Sequence, residues 1–295
     1  MGISDQIRDT FKQGSTLIRL VYINAAVFLF IKIIQVLAFL FGFSGVSELV
    51  LHWLAVPADL GTLITRPWTL FTYMFLHEGF LHILFNLLWL YVFGRIFLMY
   101  LNQKRLVSVY LVGGLSGAVL YILAFNIFPA FQQMVPISIA LGASASVMAI
   151  VLAIAVYVPN FSINLLLIGN VKLKYIAIFV VVLDILSIPS SNSGGHIAHL
   201  GGALFGYLYI TQLRRGRNIT RSFDRVMDNL FAMFKPRPKF RVTHKRPMND
   251  IQYNKWKAQH QERIDEILEK IAKNGYESLT KEEKEILFKQ GNREN

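Results

Sequence analysis

The chain has 295 residues, of which 54% are hydrophobic and 16% charged, and its mean hydropathy is +0.44. So much apolar sequence exceeds what a soluble core can hold, which excludes a soluble globular enzyme and sets the expected fold class as an all-α polytopic membrane protein. Cysteine is absent, so disulfides, thiolate metal sites and thiol chemistry are excluded too, and the net charge of +12 has to sit outside the apolar runs.

Residues 1–19 read as a charged cytoplasmic N-terminal segment without the apolar stretch or small-residue site of a cleavable signal. Met1-Gly2 opens a myristoylation pattern, but Gln6 stands where that pattern needs Ser or Thr. Runs of about 20 apolar residues then predict six membrane spans, at 20–43, 81–101, 106–128, 140–158, 174–188 and 195–213, with a first loop over about 44–80. Arg8, Lys12 and Arg19 precede the first span, Lys104 and Arg105 join the second and third, and Lys172 and Lys174 join the fourth and fifth. Arg214, Arg215 and Arg217 follow the sixth. With six spans all of these fall on one face, opposite little more than Arg66, so both termini are expected to be cytoplasmic.

Polar residues interrupt three of the runs near their starts. His82 and Asn86 open the second, Gly142-Ala143-Ser144-Ala145-Ser146 lies in the fourth, and His196-Ile197-Ala198-His199-Leu200-Gly201-Gly202 lies in the sixth. The predicted topology puts all three at one depth, on the non-cytoplasmic side. They can meet there only if their helices pack closely, and Gly113 with Gly117 and Gly202 with Gly206, each pair four apart on one face, supply the room.

In order and spacing, His82-x-x-x-Asn86, Gly142-x-Ser144 and Ala198-His199-x-x-Gly202 resemble the motifs of the rhomboid intramembrane serine proteases. The resemblance runs from Trp68 to about Leu213, and Pro67-Trp68 and the loop histidine His77 resemble that family's first loop. It implies a six-transmembrane-helix rhomboid bundle of bacterial type in the cell inner membrane. The implied activity is a serine endopeptidase that cuts other membrane proteins within or beside the bilayer, with no metal or cofactor. Carried onto these positions, Ser144 is the nucleophile, His199 the base that takes its proton, and His82, Asn86 and the Ser144 N–H the oxyanion donors. The resemblance implies a Ser-His dyad that needs no carboxylate. It also implies that the Ser- and Gly-rich loop 187–195 caps the site, and that the fifth helix or this loop moves to admit substrate laterally.

Ser146 lies about 200° around a helix from Ser144, so only one of the two can face His199, and the motif selects Ser144. His196 is read as a solvated loop-end histidine. Asp184, an acid within the fifth span, is expected to pair structurally with Lys32 rather than to orient His199. His77-Glu78 and His82 suggest a zinc motif to which His196 and His199 add ligands, but H-E-x-x-H needs its histidines four apart, and these are five apart. An inactive rhomboid-like protein that binds and escorts membrane clients is the alternative function. A transporter finds no inverted repeat to support it. Three positions depart from the family pattern: Thr69 where Arg is common, Ala145 where Gly is usual, and Met148 in place of an aromatic ring that would stack on the catalytic imidazole.

Beyond the sixth span, residues 214–257 contain 13 Lys or Arg against Asp224, Asp228 and Asp250. This is read as a basic linker lying against anionic lipid headgroups, with Pro236, Pro238 and Pro247 opposing continuous helix, and no recognition motif accompanies the charge to suggest nucleic acid. Residues 258–295 read as a small helical tail. Ile264, Ile267, Leu268 and Ile271 follow helical spacing, Gly275 ends that helix, and Thr280 with Glu283 forms a capping box for another carrying Ile286, Leu287 and Phe288. The pair is too small for a core of its own and is expected to dock on the membrane domain or a partner.

Overall fold

A computed structural model of the protein describes residues 14–165, 168–234 and 249–291. The chain divides into two units, 1–234 and 235–295, taken separately below. The first unit is helical with two small antiparallel strand pairs.

In chain order the first unit contains α1 (Thr16–Leu40), α2 (Val46–Leu54), β1 (Val56–Pro57), α3 (Leu60–Thr65), α4 (Thr69–Thr72) and a 3-10 turn, Tyr73–Phe75. It continues with α5 (Phe80–Tyr100), α6 (Gln103–Ile127), a second 3-10 turn (Pro129–Met134), β2 (Ile139–Ala140) and α7 (Ser144–Tyr157). The hairpin β3 (Ser162–Leu165) and β4 (Gly169–Lys172) follows, then α8 (Leu173–Leu186), α9 (Ser193–Arg214) and α10 (Arg221–Phe234).

Helices thus occur at all six predicted span positions. By length and composition three of them, α1, α5 and α6, suffice to cross a membrane. α7 and α8 have 14 residues each, about 21 Å at 1.5 Å per residue. α9 is longer, at 22 residues, but its glycines and histidines dilute its apolar content.

α7 forms the centre. Ala145 through Val151 and Ala153 through Ala155 are all buried, as expected of a helix that is apolar all round. Packed on it are α6 and α9, and their glycines explain how closely. A Cβ on Gly117 would meet Ala145 Cβ at 2.5 Å, and one on Gly202 would meet the Ala145 carbonyl oxygen at 2.0 Å. One turn on, a Cβ on Gly113 would meet Ala149 Cβ at 2.2 Å and one on Gly206 the Ala149 carbonyl oxygen at 2.2 Å. Ala145 and Ala149 of α7 therefore each sit between a glycine of α6 and a glycine of α9, so dispersion contacts form between backbones. Ala145, the departure from glycine noted above, is accommodated by Gly117.

The first loop is ordered and clasps this core. Val56 and Pro57 pair with Ala140 and Ile139, Asn126 Nδ2 donates to the Ala58 carbonyl at 2.9 Å, and the stacked rings of Trp53 and Trp68 lie 5.7 Å apart. Thr69, the second departure, is buried and donates to the Arg66 carbonyl at 2.7 Å.

The basic stretch differs from expectation. It is not an uninterrupted linker, because α10 occupies its first part and is pinned to α6 by its own two acids. Ser108 Oγ donates to Asp224 Oδ1 at 2.5 Å, and Lys104 Nζ pairs with Asp228 Oδ2 at 2.5 Å. The acids are four apart and so share a helical face, which leaves Arg221 and Arg225 exposed. Pro236, Pro238 and Pro247 lie outside the described residues, as do Arg8 and Lys12 of the N-terminal segment.

In the second unit, α11 (Asp250–Asn274) and α12 (Lys281–Gly291) are joined through a 3-10 turn, Tyr276–Ser278. The capping box is present: Thr280 N donates to Glu283 Oε2 at 2.7 Å and Glu283 N to Thr280 Oγ1 at 3.3 Å. The Thr280 N–H and then Lys270 hold the Glu283 carboxyl down to about 2. Ile264, Ile267 and Leu279 are buried, whereas Leu268 and Phe288 are exposed.

Candidate active site

Ser144 is the first residue of α7, and the turn before it is built by the first loop. Gly142 has φ +121°, a value that L side chains rarely adopt, and its N–H donates to the Tyr73 carbonyl at 2.9 Å. The Ala143 N–H donates to His77 Nε2 at 3.4 Å, while His77 Nδ1 bonds the Phe75 carbonyl at 3.2 Å. One imidazole thereby ties the first loop to the Ser144 turn. Placed at the N-terminus of α7, Ser144 has backbone N–H groups beside it that no helical carbonyl can satisfy, and they favour negative charge.

Burial, reinforced by the neighbouring His82 ring 5.1 Å away, lowers the His77 pKa to about 4. The unfolded chain, with an ordinary histidine pKa, therefore binds a proton below about pH 6.5 that the folded chain refuses. This part of the stability is fully present above about pH 6.5 and falls away as the pH drops toward 4. Thermal unfolding in detergent between pH 7.5 and 4.5 should show His77→Gln losing less stability on acidification than the unsubstituted protein, by up to about 1.4 kcal/mol per pH unit. Parallel pH curves would remove His77 from this role.

His199 lies in the first two turns of α9, and Asp184 in the last turn of α8. His199 Nδ1 lies 2.9 Å from Asp184 Oδ1, and His196 Nδ1 lies 2.8 Å from the same oxygen. An ionised carboxylate can only accept, so both rings carry their proton on Nδ1, and Nε2 of His199 is left with a lone pair. Two expectations are corrected here. Asp184 does not pair with Lys32, whose Nζ instead donates to Gln35 Oε1 at 2.9 Å; α8 delivers the acid beside the start of α9. Nor is His196 a solvated loop-end residue, since it shares that carboxylate. An acid that is 6% exposed in an apolar helix needs a partner, and two histidines just across a short connection supply it.

Ser144, His199, His82 and Asn86 all line one cavity of about 640 Å³, together with Asp184, Met148, Asn192 and Glu78. Ser144 Oγ and the His82 ring flank Gly142, at 3.5 Å and 2.9 Å from where its Cβ would lie. Asn86 Nδ2 donates to the His82 carbonyl at 2.9 Å, one turn back on α5. Among the described residues no hydrogen bond joins Ser144 Oγ to His199, as is common in sites that tighten only around a substrate. Asp184, His196 and His199 are also the grouping that could hold a metal ion, their ligand atoms all lying within 4.8 Å of one another.

Ser146 is placed elsewhere. It is fully buried, its hydroxyl has no partner, and its Oγ lies 2.5 Å from where a Cβ on Gly114 of α6 would be. Ser146→Ala should therefore leave activity unchanged and keep or slightly raise the melting temperature, because a buried unsatisfied hydroxyl is removed. Activity lost without loss of folding would reverse the choice between the two serines.

Comparison with known proteins agrees in extent with these observations. A family model described as Rhomboid domain matches residues 65–216, and one described as a family of unknown function (DUF6576) matches 249–289. RHOMBOID-like protein 12, mitochondrial, from Arabidopsis thaliana is 32% identical over 161 residues, covering 52% of this chain and 48% of that protein. Presenilin-associated rhomboid-like protein A, mitochondrial, from Danio rerio is 30% identical over 145 residues, covering 46% of this chain and 35% of that protein. The matched part thus spans about half the length of the first relative and about a third of the second.

Proposed function

Because the chain belongs to the rhomboid family, we propose that it is an intramembrane serine endopeptidase whose substrates are membrane helices of other proteins. The observation that carries this reading is one cavity lined by a hydroxyl, an imidazole held at Nδ1 by a carboxylate, and two further donors. In the proposed reaction Ser144 Oγ attacks the scissile carbonyl carbon as its proton passes to His199 Nε2. His82, Asn86 and the Ser144 N–H receive the developing oxyanion. His199 then gives the proton to the departing amine, and a water activated by the same ring hydrolyses the acyl-enzyme and frees Ser144.

α1, α5, α6, α7, α8 and α9 are proposed as the six spans, with the cavity toward the non-cytoplasmic face and both termini cytoplasmic, in a cell inner membrane; the two relatives carry "mitochondrial" in their own names. An apolar cavity of about 850 Å³ lies between α5 and α8, lined by Leu88, Trp89, Val92, Tyr175, Phe179 and Val180. Trp89 and Val180 line the polar cavity too, so a substrate helix entering from lipid has a route toward Ser144. The exposed Arg221 and Arg225 of α10 suit anionic headgroups on the cytoplasmic side.

The test is fluorophosphonate labelling of the purified chain in detergent. The reading expects labelling of the unsubstituted protein that Ser144→Ala abolishes and His199→Ala strongly reduces. Labelling that survives Ser144→Ala refutes the nucleophile. A folded protein that neither labels nor cleaves supports the client-binding alternative.

A further inference from the structure

We infer that Asp184, His196 and His199 form a zinc site whose occupancy switches the hydrolytic centre off. The three ligand atoms are supplied by the end of α8 and the start of α9, and all lie within 4.8 Å of one another. Two imidazoles and one carboxylate match the ligand preferences of zinc. Tetrahedral zinc with bonds near 2.0–2.2 Å spaces its ligand atoms about 3.4 Å apart. Asp184 Oδ1 now stands 2.8 and 2.9 Å from the two Nδ1 atoms and no two ligand atoms lie more than 4.8 Å apart, so tetrahedral spacing needs the oxygen to withdraw by about half an ångström and the two rings to turn toward one another by about 1.4 Å at most. Each histidine is partly exposed and Asp184 lines the polar cavity, which leaves room for entry and for a water as fourth ligand.

The consequence for catalysis follows from the proton count. Without zinc, both rings hold a proton on Nδ1 and direct it at the carboxylate. Zinc takes the Nδ1 lone pairs, so each ring must carry its proton on Nε2 instead, with none released overall. His199 then presents an N–H where it needs a lone pair, and it cannot accept the Ser144 proton. His196, which the proposed hydrolysis does not use, gains a role as the ligand that completes the site. The inhibitory consequence rests on the proteolytic reading; the metal site does not.

The experiment therefore measures binding apart from turnover. Full-length Ser144→Ala protein in detergent is dialysed against zinc chloride, and bound metal is counted. One zinc per chain is expected, with affinity at least tenfold weaker when His196→Gln or Asp184→Asn is added; should one variant fail to fold, the other carries the comparison. Unsubstituted protein should lose peptide hydrolysis as zinc is added, recover it with chelator and ignore magnesium at the same concentration, while His196→Gln needs at least tenfold more zinc for the same loss. No bound zinc, or zinc bound equally by both ligand variants, overturns the site. Zinc bound at these residues with hydrolysis undiminished overturns the switch, and zinc bound by a chain that never hydrolyses peptide overturns the protease reading and leaves the metal site standing.

Discussion

Asp184→Asn is expected to lower kcat/KM by about ten-thousandfold, the scale seen when a base histidine loses the carboxylate that sets its tautomer. The amide is nearly the same size and can still bond His199 Nδ1, but where it does so through its N–H the ring proton sits on Nε2, which takes away the lone pair Ser144 requires. Geometry and fold are kept, so the melting temperature should change little while kcat falls and KM stays close to its original value. That split separates a positioning role from a structural one, which would move stability first. Hydrolysis of a fluorogenic transmembrane peptide in detergent gives both constants. Activity within twofold of the unsubstituted protein would show that His199 finds its orientation without Asp184. The carboxylate also bears on Met148, which lines the cavity where an aromatic ring would stack on the imidazole. A flexible thioether packs against a ring but cannot set its tautomer, whereas Asp184 does so directly.

Gly202→Val should remove activity and lower stability together. A Cβ at this position falls 2.0 Å from the Ala145 carbonyl oxygen, and the atom it meets is backbone, which no rotamer change can withdraw. α9 must back away from α7 by an ångström or more. His199 lies three residues before Gly202 and Ser144 immediately precedes Ala145, so that separation opens the reacting pair. A misplacement of about 1 Å costs on the order of a hundredfold in rate, and overpacking of this kind costs about 1–3 kcal/mol. Gly202→Ala tests the same contact more gently: unaltered turnover and melting temperature in that variant would mean that the two helices pack less tightly than the structure shows.

Much of this was legible in the sequence because it rests on local pattern. Each of the six helices falls within a few residues of its apolar run, and the fourfold glycine spacing anticipated the contacts at Ala145 and Ala149. The capping box at Thr280 and Glu283 was legible for the same reason. What escaped was pairwise and non-local. Asp184 was assigned to Lys32 because both are charges at membrane depth, but sequence does not say which neighbour a helix turns toward, and α8 offers its acid to α9. The prolines oppose a helix continuous through the basic stretch, but all three follow Phe234 and say nothing against α10 ahead of them, and the two acids that anchor it are outnumbered by the basic residues around them. Among the described residues, α1, α5 and α6 are the helices that combine full span length with high apolar content. α7 and α9, which carry Ser144 and His199, are respectively too short and too rich in glycine and histidine to register as strongly.

α8 turns much of its surface outward: Ile178, Phe179 and Leu186 are all at least 60% exposed, and Asp184 is the polar residue it buries. On the proposed reading, in which α8 moves to admit substrate, the acid that poises the imidazole is mounted on the door, not on the frame. Any swing of that helix wide enough to let a foreign segment through would carry the carboxylate off with it, leaving the base idle until the door shuts behind its cargo. Admission and cutting would then be successive events, and an empty, open enzyme would be a harmless one.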